Sequence, residues 1–218
     1  MDVYEALYTT RAMRRVLPNP IPTEVQQRIL DAAIRAPSGG NQQNWRFMFV
    51  DDEQVKARLG PIYRACLAQL WATLYKERLD AANADPTDPE NDQLLRIQRS
   101  AQHLADHFEE YPLLLFSFVQ HDPSGGSIHP ATWSAMLAAR AEGVGSSWTS
   151  VFVFDLDPVL EILGVPADEG WIFASCVFFG YPTGRWDVAK RRPVHEVSYR
   201  NRWGSPVGFE IDHPLWPA

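Results

Sequence analysis

The sequence predicts a layered protein of α+β or α/β type, and three observations carry that prediction. Apolar strand patterns at residues 112–119 and 171–179 alternate with helix-period stretches along the chain. No shift in composition marks a domain boundary in the 218 residues, a length that accommodates one large domain or two small ones. A polar, proline-bearing tail follows Gly180. It has too few apolar residues to form a core of its own and is free to wrap a partner.

Taken in order, residues 2–9 read as a short helix with Val3, Ala6 and Leu7 on one face. Pro18, Pro20 and Pro22 forbid a continuing helix. Thr23 with Gln26 makes a capping-box pattern and opens a helix to about Arg35, with Val25, Ile29, Ala32 and Ala33 on its buried side. A loop, Ala36-Pro37-Ser38-Gly39-Gly40-Asn41-Gln42-Gln43-Asn44, leads to a strand over 45–50, where two-residue spacing turns Trp45 and Phe47 to the core. Residues 53–82 and 91–109 read as two helices around an acidic linker holding Pro86 and Pro89, expected at the surface. Leu67, Leu70, Trp71 and Leu74 form an apolar stripe suited to core or subunit contact. Then come a buried strand at 112–119, a helix at 128–142 stopped by Gly143 and a strand at 148–154. A short helix at 157–164 and an apolar strand at 171–179 follow.

Composition narrows the function. Hydrophobic residues at 45% and charged residues at 22% describe a folded, globular chain. A net charge of −7 argues against a nucleic-acid partner, and the basic residues lack interleaved aromatics. Cys66 and Cys176 make neither metal-type spacing nor a disulfide framework, which fits a reducing, cytoplasmic location. The acidic N-terminal residues lack the apolar run of a secretory signal, and no stretch reaches the ~18 apolar residues of a membrane span.

Two places could carry chemistry. The loop at 36–44 reads either as a helix C-cap and turn or as a ligand loop. Its glycines allow close backbone approach, and Ser38, Asn41 and Gln43 suit a flat polar heterocycle. Arg11, Arg14 and Arg15 near one end, and Lys190, Arg191 and Arg192 near the other, are two basic clusters in an acidic chain. They are either solvated patches or a clamp closing on one phosphate. Gly143-Val144-Gly145-Ser146-Ser147-Trp148 lacks the third glycine of a dinucleotide fingerprint and leads into a strand, so the Rossmann reading fails. No Walker loop or Gly-x-Ser-x-Gly elbow occurs. His103 and His107 are four apart on a helix, but no Glu follows His103 as in zincins, and no metal site is expected.

These pieces resemble, in order, the motifs of the FMN-dependent nitroreductase family. Thr10-Arg11-Ala12-Met13-Arg14-Arg15 followed by Pro20-Ile21-Pro22 is similar to its Arg-Arg-Ser-x-Arg and Pro-x-Pro signature. Ala36-Pro37-Ser38-Gly39-Gly40-Asn41-Gln42-Gln43-Asn44-Trp45 resembles its Ala-Pro-Ser-x-x-Asn-x-Gln-Pro-Trp loop. Residues 130–148 resemble its central helix and following turn, and Lys190-Arg191-Arg192-Pro193 with Glu196-Val197 its C-terminal motif. Thr10, Ala12 and Asn44 depart from the usual Arg, Ser and Pro, and no motif is matched across 53–109.

The resemblance implies an α+β fold, a mostly antiparallel sheet flanked by helices, in one domain spanning 1–218. Residues 53–109 would be a variable helical region and 181–218 an extended tail, in an intertwined homodimer with FMN at the interface. It implies that Arg11 and Arg14 hold the FMN phosphate and ribityl chain, with Ala12 beside them and Arg15 as substitute for the missing Arg. Arg191 and Arg192 would close from the other end. Ser38, Gly39 and Asn41 would come from the partner subunit. The backbone of Trp148, Thr149 and Ser150 would lie along the flavin ring, one amide facing N5. No side chain is expected to be catalytic as acid or base. The implied activity is reduction of a nitroaromatic, quinone or related small aromatic acceptor by NAD(P)H, in ping-pong fashion. The alternatives are a dehalogenase or flavin-degrading enzyme of the same fold, or a non-catalytic flavin-binding protein.

Overall fold

Apolar runs pair edge to edge in the computed structural model, which describes residues 1–216. The elements are α1 (Val3–Thr9), β1 (Val16–Leu17), α2 (Thr23–Ala33), β2 (Trp45–Val50), α3 (Glu53–Ala72), α4 (Lys76–Ala84) and α5 (Pro89–Asp106). There follow β3 (Leu113–Val119), α6 (Ile128–Ala141), β4 (Gly145–Thr149), α7 (Asp157–Leu163) and β5 (Ile172–Pro182). β3 lies between β2 and β5, and β4 and β1 both pair with β5; all these pairings are antiparallel. The fold is therefore α+β.

Side-chain alternation splits the core between the two sheet faces. Leu114, Phe116, Phe118, Cys176 and Phe178 point to one face and pack with Leu59 and Tyr63 of α3, Leu104 of α5 and Val159 of α7. Leu113, Leu115, Val177 and Phe179 point to the other, against Val25 and Ile29 of α2 and Ala135 and Ala139 of α6. A bulge at Ser117/Phe118 puts Phe173 on the same face as Cys176 despite their odd spacing. Edge-on aromatic pairs such as Tyr63–Phe178 (5.3 Å) and Phe108–Phe152 (6.3 Å) fill the first face. No helix among the described residues is long and apolar enough to cross a membrane.

Several expectations need correction. The strand expected at 148–154 ends at Thr149, because Ser150 (φ −126°, ψ 12°) turns the chain into a 3-10 turn, Val151–Phe154, that drives Phe152 into the core. The helix expected at 53–82 breaks at Thr73, whose φ/ψ of −116°/−82° is not helical, and restarts as α4. The capping box does not form: Pro22 is the N-cap residue, and the Gln26 amide donates instead to the Ile21 carbonyl at 2.8 Å. On α1 only Ala6 of the expected face is buried; Val3 and Leu7 are exposed. The expected apolar stripe frays too: Leu67 of α3 is buried, whereas Leu74 lies past the end of α3 and is exposed.

Candidate functional site

The arginine segment is fixed by its backbone. α1 ends at Thr9, capped by Thr10, and the extended chain after it forms a parallel bridge between Ala12 and Ser146. Met13 N–H donates to the Ser146 carbonyl at 2.9 Å. Gly145 permits this approach, since a Cβ there would stand 2.9 Å from Met13 Cβ. The Tyr111 hydroxyl donates to the Arg14 carbonyl at 2.9 Å, and Thr183 N–H donates to the Arg15 carbonyl at 3.0 Å. Residues 11–15 thus pass the Gly145–Ser146 start of β4 and continue beside the end of β5.

The three guanidinium groups have no ion pair among the described residues. Arg11 Nη2 donates to the Arg185 carbonyl at 3.0 Å, while its buried Nε has no partner. Burial holds the Arg14 pKa below its ordinary value, opposed by the Tyr63 and Tyr111 phenols. Arg15 is exposed and, with Arg14, His103, His107, Glu110 and Thr183, lines a cavity of about 260 Å³. The two imidazole rings lie 4.3 Å apart, and His107 Nδ1 meets Glu110 Oε1 at 2.9 Å. Burial, then the Arg15 charge, lowers the His103 pKa.

At the end of β4, the Thr149 hydroxyl accepts from Val151 N–H at 3.2 Å. The Trp148 ring packs against His129 of α6, 5.4 Å away. Tyr63 of α3 reaches this corner from the core: burial pushes its pKa far up, while the nearby Thr149 hydroxyl and Arg14 charge pull it down.

The loop at 38–44 is tied to Ser127, the residue before α6. Gly40, Asn41 and Gln43 all have left-handed φ (57°, 54° and 53°), the strained geometry that glycine and asparagine tolerate best. The Ser38 hydroxyl accepts from Gln43 N–H at 2.9 Å, and Gly39 N–H donates to the Ser127 hydroxyl at 3.2 Å. Ser38 and Gly39 line a polar cavity of about 270 Å³ with Gln120 and Asp122. No hydrogen bond joins this loop to the arginine segment among the described residues. Arg191 and Arg192 line a third cavity, of about 710 Å³, with Leu7 and Tyr8; Arg191 Nη1 turns to the Lys190 carbonyl at 2.9 Å. The tail residue that contacts Arg11 is Arg185, not Arg191.

Sequence reading missed Tyr63, Tyr111 and Arg185. Their partners are remote in sequence, and no local pattern marks them. What the corner offers is a set of unpaired cationic donors beside a strand end, suited to an anion such as a phosphate.

Comparison with known proteins agrees. A model described as the nitroreductase family matches residues 7–181. The 5,6-dimethylbenzimidazole synthase of Rhodospirillum rubrum is 31% identical, over 94% of this chain and 93% of that protein. A solved iodotyrosine deiodinase bound to FMN and 3-iodo-L-tyrosine superposes with a TM-score of 0.68 at 22% identity, covering 94% of this chain and all of that one. The FMN-dependent nitroreductase NfnB of Mycobacterium smegmatis, in complex with NADPH, does so with 0.63 at 21% identity, covering 91% of this chain and 97% of that one. With the motif order, the fold and the matched span in agreement, this chain belongs to the nitroreductase family.

Proposed function

We propose that this chain is an FMN-dependent oxidoreductase that draws on NAD(P)H to reduce a nitroaromatic, quinone or related aromatic acceptor. The observation that carries this reading is the arginine segment: Arg11, Arg14 and Arg15 stand beside β4 without acid partners among the described residues, and Arg11 Nε is buried and unbonded. A phosphate monoester fits such a donor set, because guanidinium forks match its oxygens. Family membership and the FMN-bound relatives support the same cofactor.

Bound there, FMN would supply hydride transfer at its N5. Arg11 and Arg14 would neutralise the phosphate and ribityl end, with Arg15, Arg191 and Arg192 adding to the basic surround. Ala12, locked to Ser146, leaves a small side chain beside them. The amides of Trp148, Thr149 and Ser150, fixed by the strand end, would donate to the electron-rich ring edge. Ser38, Gly39 and Asn41 would complete the cradle from a second copy of the chain. A homodimer is supported by exposed apolar side chains on α1 (Val3, Tyr4, Leu7) and in the tail, where Trp203 is 92% exposed. The two buried free thiols fit a reducing, cytoplasmic setting.

The test is a visible spectrum after loading with excess FMN and desalting. The expected result is a protein-bound flavin, bleached anaerobically by NADH or NADPH and restored by a nitroaromatic or quinone. A protein that retains no FMN overturns the reading. The 31% identical relative favours a second reading, breakdown of flavin to 5,6-dimethylbenzimidazole. Permanent loss of the flavin spectrum with release of that product would select it.

A further inference from the structure

Arg140, in the last turn of α6, carries a side chain that is 8% exposed and has no task in the reading above. A buried cation is costly unless its hydrogen-bonding capacity is used. Its Nε donates to the Thr9 hydroxyl at 2.8 Å and its Nη2 reaches Glu5 Oε1 at 3.4 Å, both on α1. Its guanidinium carbon lies over the Trp186 ring, 4.0 Å from the centroid. Thr9 stands two residues before Arg11, and Trp186 follows Arg185, the residue whose carbonyl accepts from Arg11. One guanidinium therefore grips both flanks of the Arg11–Arg185 contact. A second tie, Ala189 N–H to the Tyr8 carbonyl at 3.3 Å, runs the same way.

We propose that Arg140 is a positioning residue for the phosphate end of the site: by holding Thr9 and Trp186 at a fixed separation it sets where the Arg11 guanidinium stands, and so sets FMN affinity without touching FMN. This rests on the FMN reading above. The Thr9 hydroxyl donates to the Glu5 carbonyl at 2.6 Å, which leaves its lone pairs to Arg140. Lying over Trp186 while donating from Nε requires a planar guanidinium; a lysine keeps the charge and loses the plane. Released from this grip, Arg11 would have to be ordered by the ligand itself, which lowers affinity.

The experiment is titration of FMN fluorescence quenching with wild type, Arg140→Met, Arg140→Lys, Arg11→Ala and the double variant Arg11→Ala/Arg140→Met. Arg140→Met should weaken binding roughly 5- to 30-fold, with Arg140→Lys between it and wild type. In the Arg11→Ala background the same change should add less than about twofold, because the group it positions is gone. A merely structural role would lower affinity equally in both backgrounds. Equal losses, or Arg140→Met binding within twofold of wild type, overturn the proposal. Should Arg140→Met fail to fold, Trp186→Ala removes the grip from the tail side and carries the same expectation. A wild type that takes up no FMN overturns the flavin reading and this proposal with it; unaffected variants of a protein that does bind overturn this proposal alone.

Discussion

The phenol of Tyr111 donates to the Arg14 carbonyl at 2.9 Å, across 97 residues of sequence. Tyr111 is itself held, since the buried Lys56 ammonium donates to its carbonyl at 2.9 Å. Tyr111→Phe leaves the Arg14 carbonyl without this donor and should cost about 1–3 kcal/mol of stability. Urea unfolding at unchanged m-value checks the cost. FMN titration should show weaker binding, since the arginine segment loses its floor.

Alkaline stability should report the two buried phenols. Burial raises the pKa of both Tyr63 and Tyr111 above the ordinary value of 10.0. Their contribution is full below that value and is lost as pH rises toward the folded-state value, because the unfolded chain ionises first. Unfolding free energy should fall above about pH 10 by up to ~1.4 kcal/mol per pH unit for each tyrosine. Cys66 and Cys176, whose thiols burial also pushes up, begin the decline earlier. Tyr63→Phe should flatten the slope; an unchanged slope would show that its phenol already ionises in the folded protein.

Arg11→Ala should weaken FMN binding about 10- to 150-fold, the loss of one charge-assisted contact worth roughly 1.5–3 kcal/mol. Arg191→Ala should cost less, because Arg191 turns to the Lys190 carbonyl while Arg11 is anchored at Arg185. Equal affinities in wild type and both variants would place the phosphate elsewhere.

Gly180 faces β1 with no room to spare: a Cβ there would meet Val16 Cβ at 2.7 Å. Gly180→Ala should displace the strand that continues the arginine segment and cost about 1–3 kcal/mol. Both a lower Tm and weaker FMN binding are expected, and a change in neither would show that β1 moves freely.

Initial rates with NAD(P)H and acceptor varied together should give parallel double-reciprocal lines. The sequence carries no dinucleotide fingerprint, so reductant and acceptor would have to take turns at one pocket. Intersecting lines would show both bound at once. Thr149→Pro or Ser150→Pro, each deleting one backbone donor, should slow flavin reduction sharply at the position that faces the ring, whereas Ser150→Ala should be mild.

Much of this was legible in the sequence because it is local. The strand at 45–50, the buried strand ending at Val119 and the stop at Gly143 (φ 75°) follow from alternation, apolar runs and glycine. The arginine and loop motifs were legible as motifs. The register of β4 was not: Gly145 reads as turn, yet it belongs to the strand because Met13 packs where a side chain would be. The run Val151-Phe152-Val153-Phe154 reads as strand by β-propensity, and tertiary packing of Phe152 overrides it. Arg140, Tyr63 and Tyr111 act on partners brought close only by folding, which no periodicity encodes.

β2 and β3 are adjacent antiparallel strands, with Val50 opposite Leu114, so the ends of residues 51–112 meet at one edge of the sheet. A tight hairpin would have sufficed to join them. The helical excursion is therefore an insertion whose ends meet, yet it is also the layer that covers one sheet face, through Leu59, Tyr63, Leu104 and Phe108. It is not a neutral one: Tyr63 and Tyr111 reach from it, or from its border, into the arginine corner. A chimaera that exchanges this segment and keeps cofactor affinity must carry both phenols, and the apolar face that packs on the sheet, across the splice.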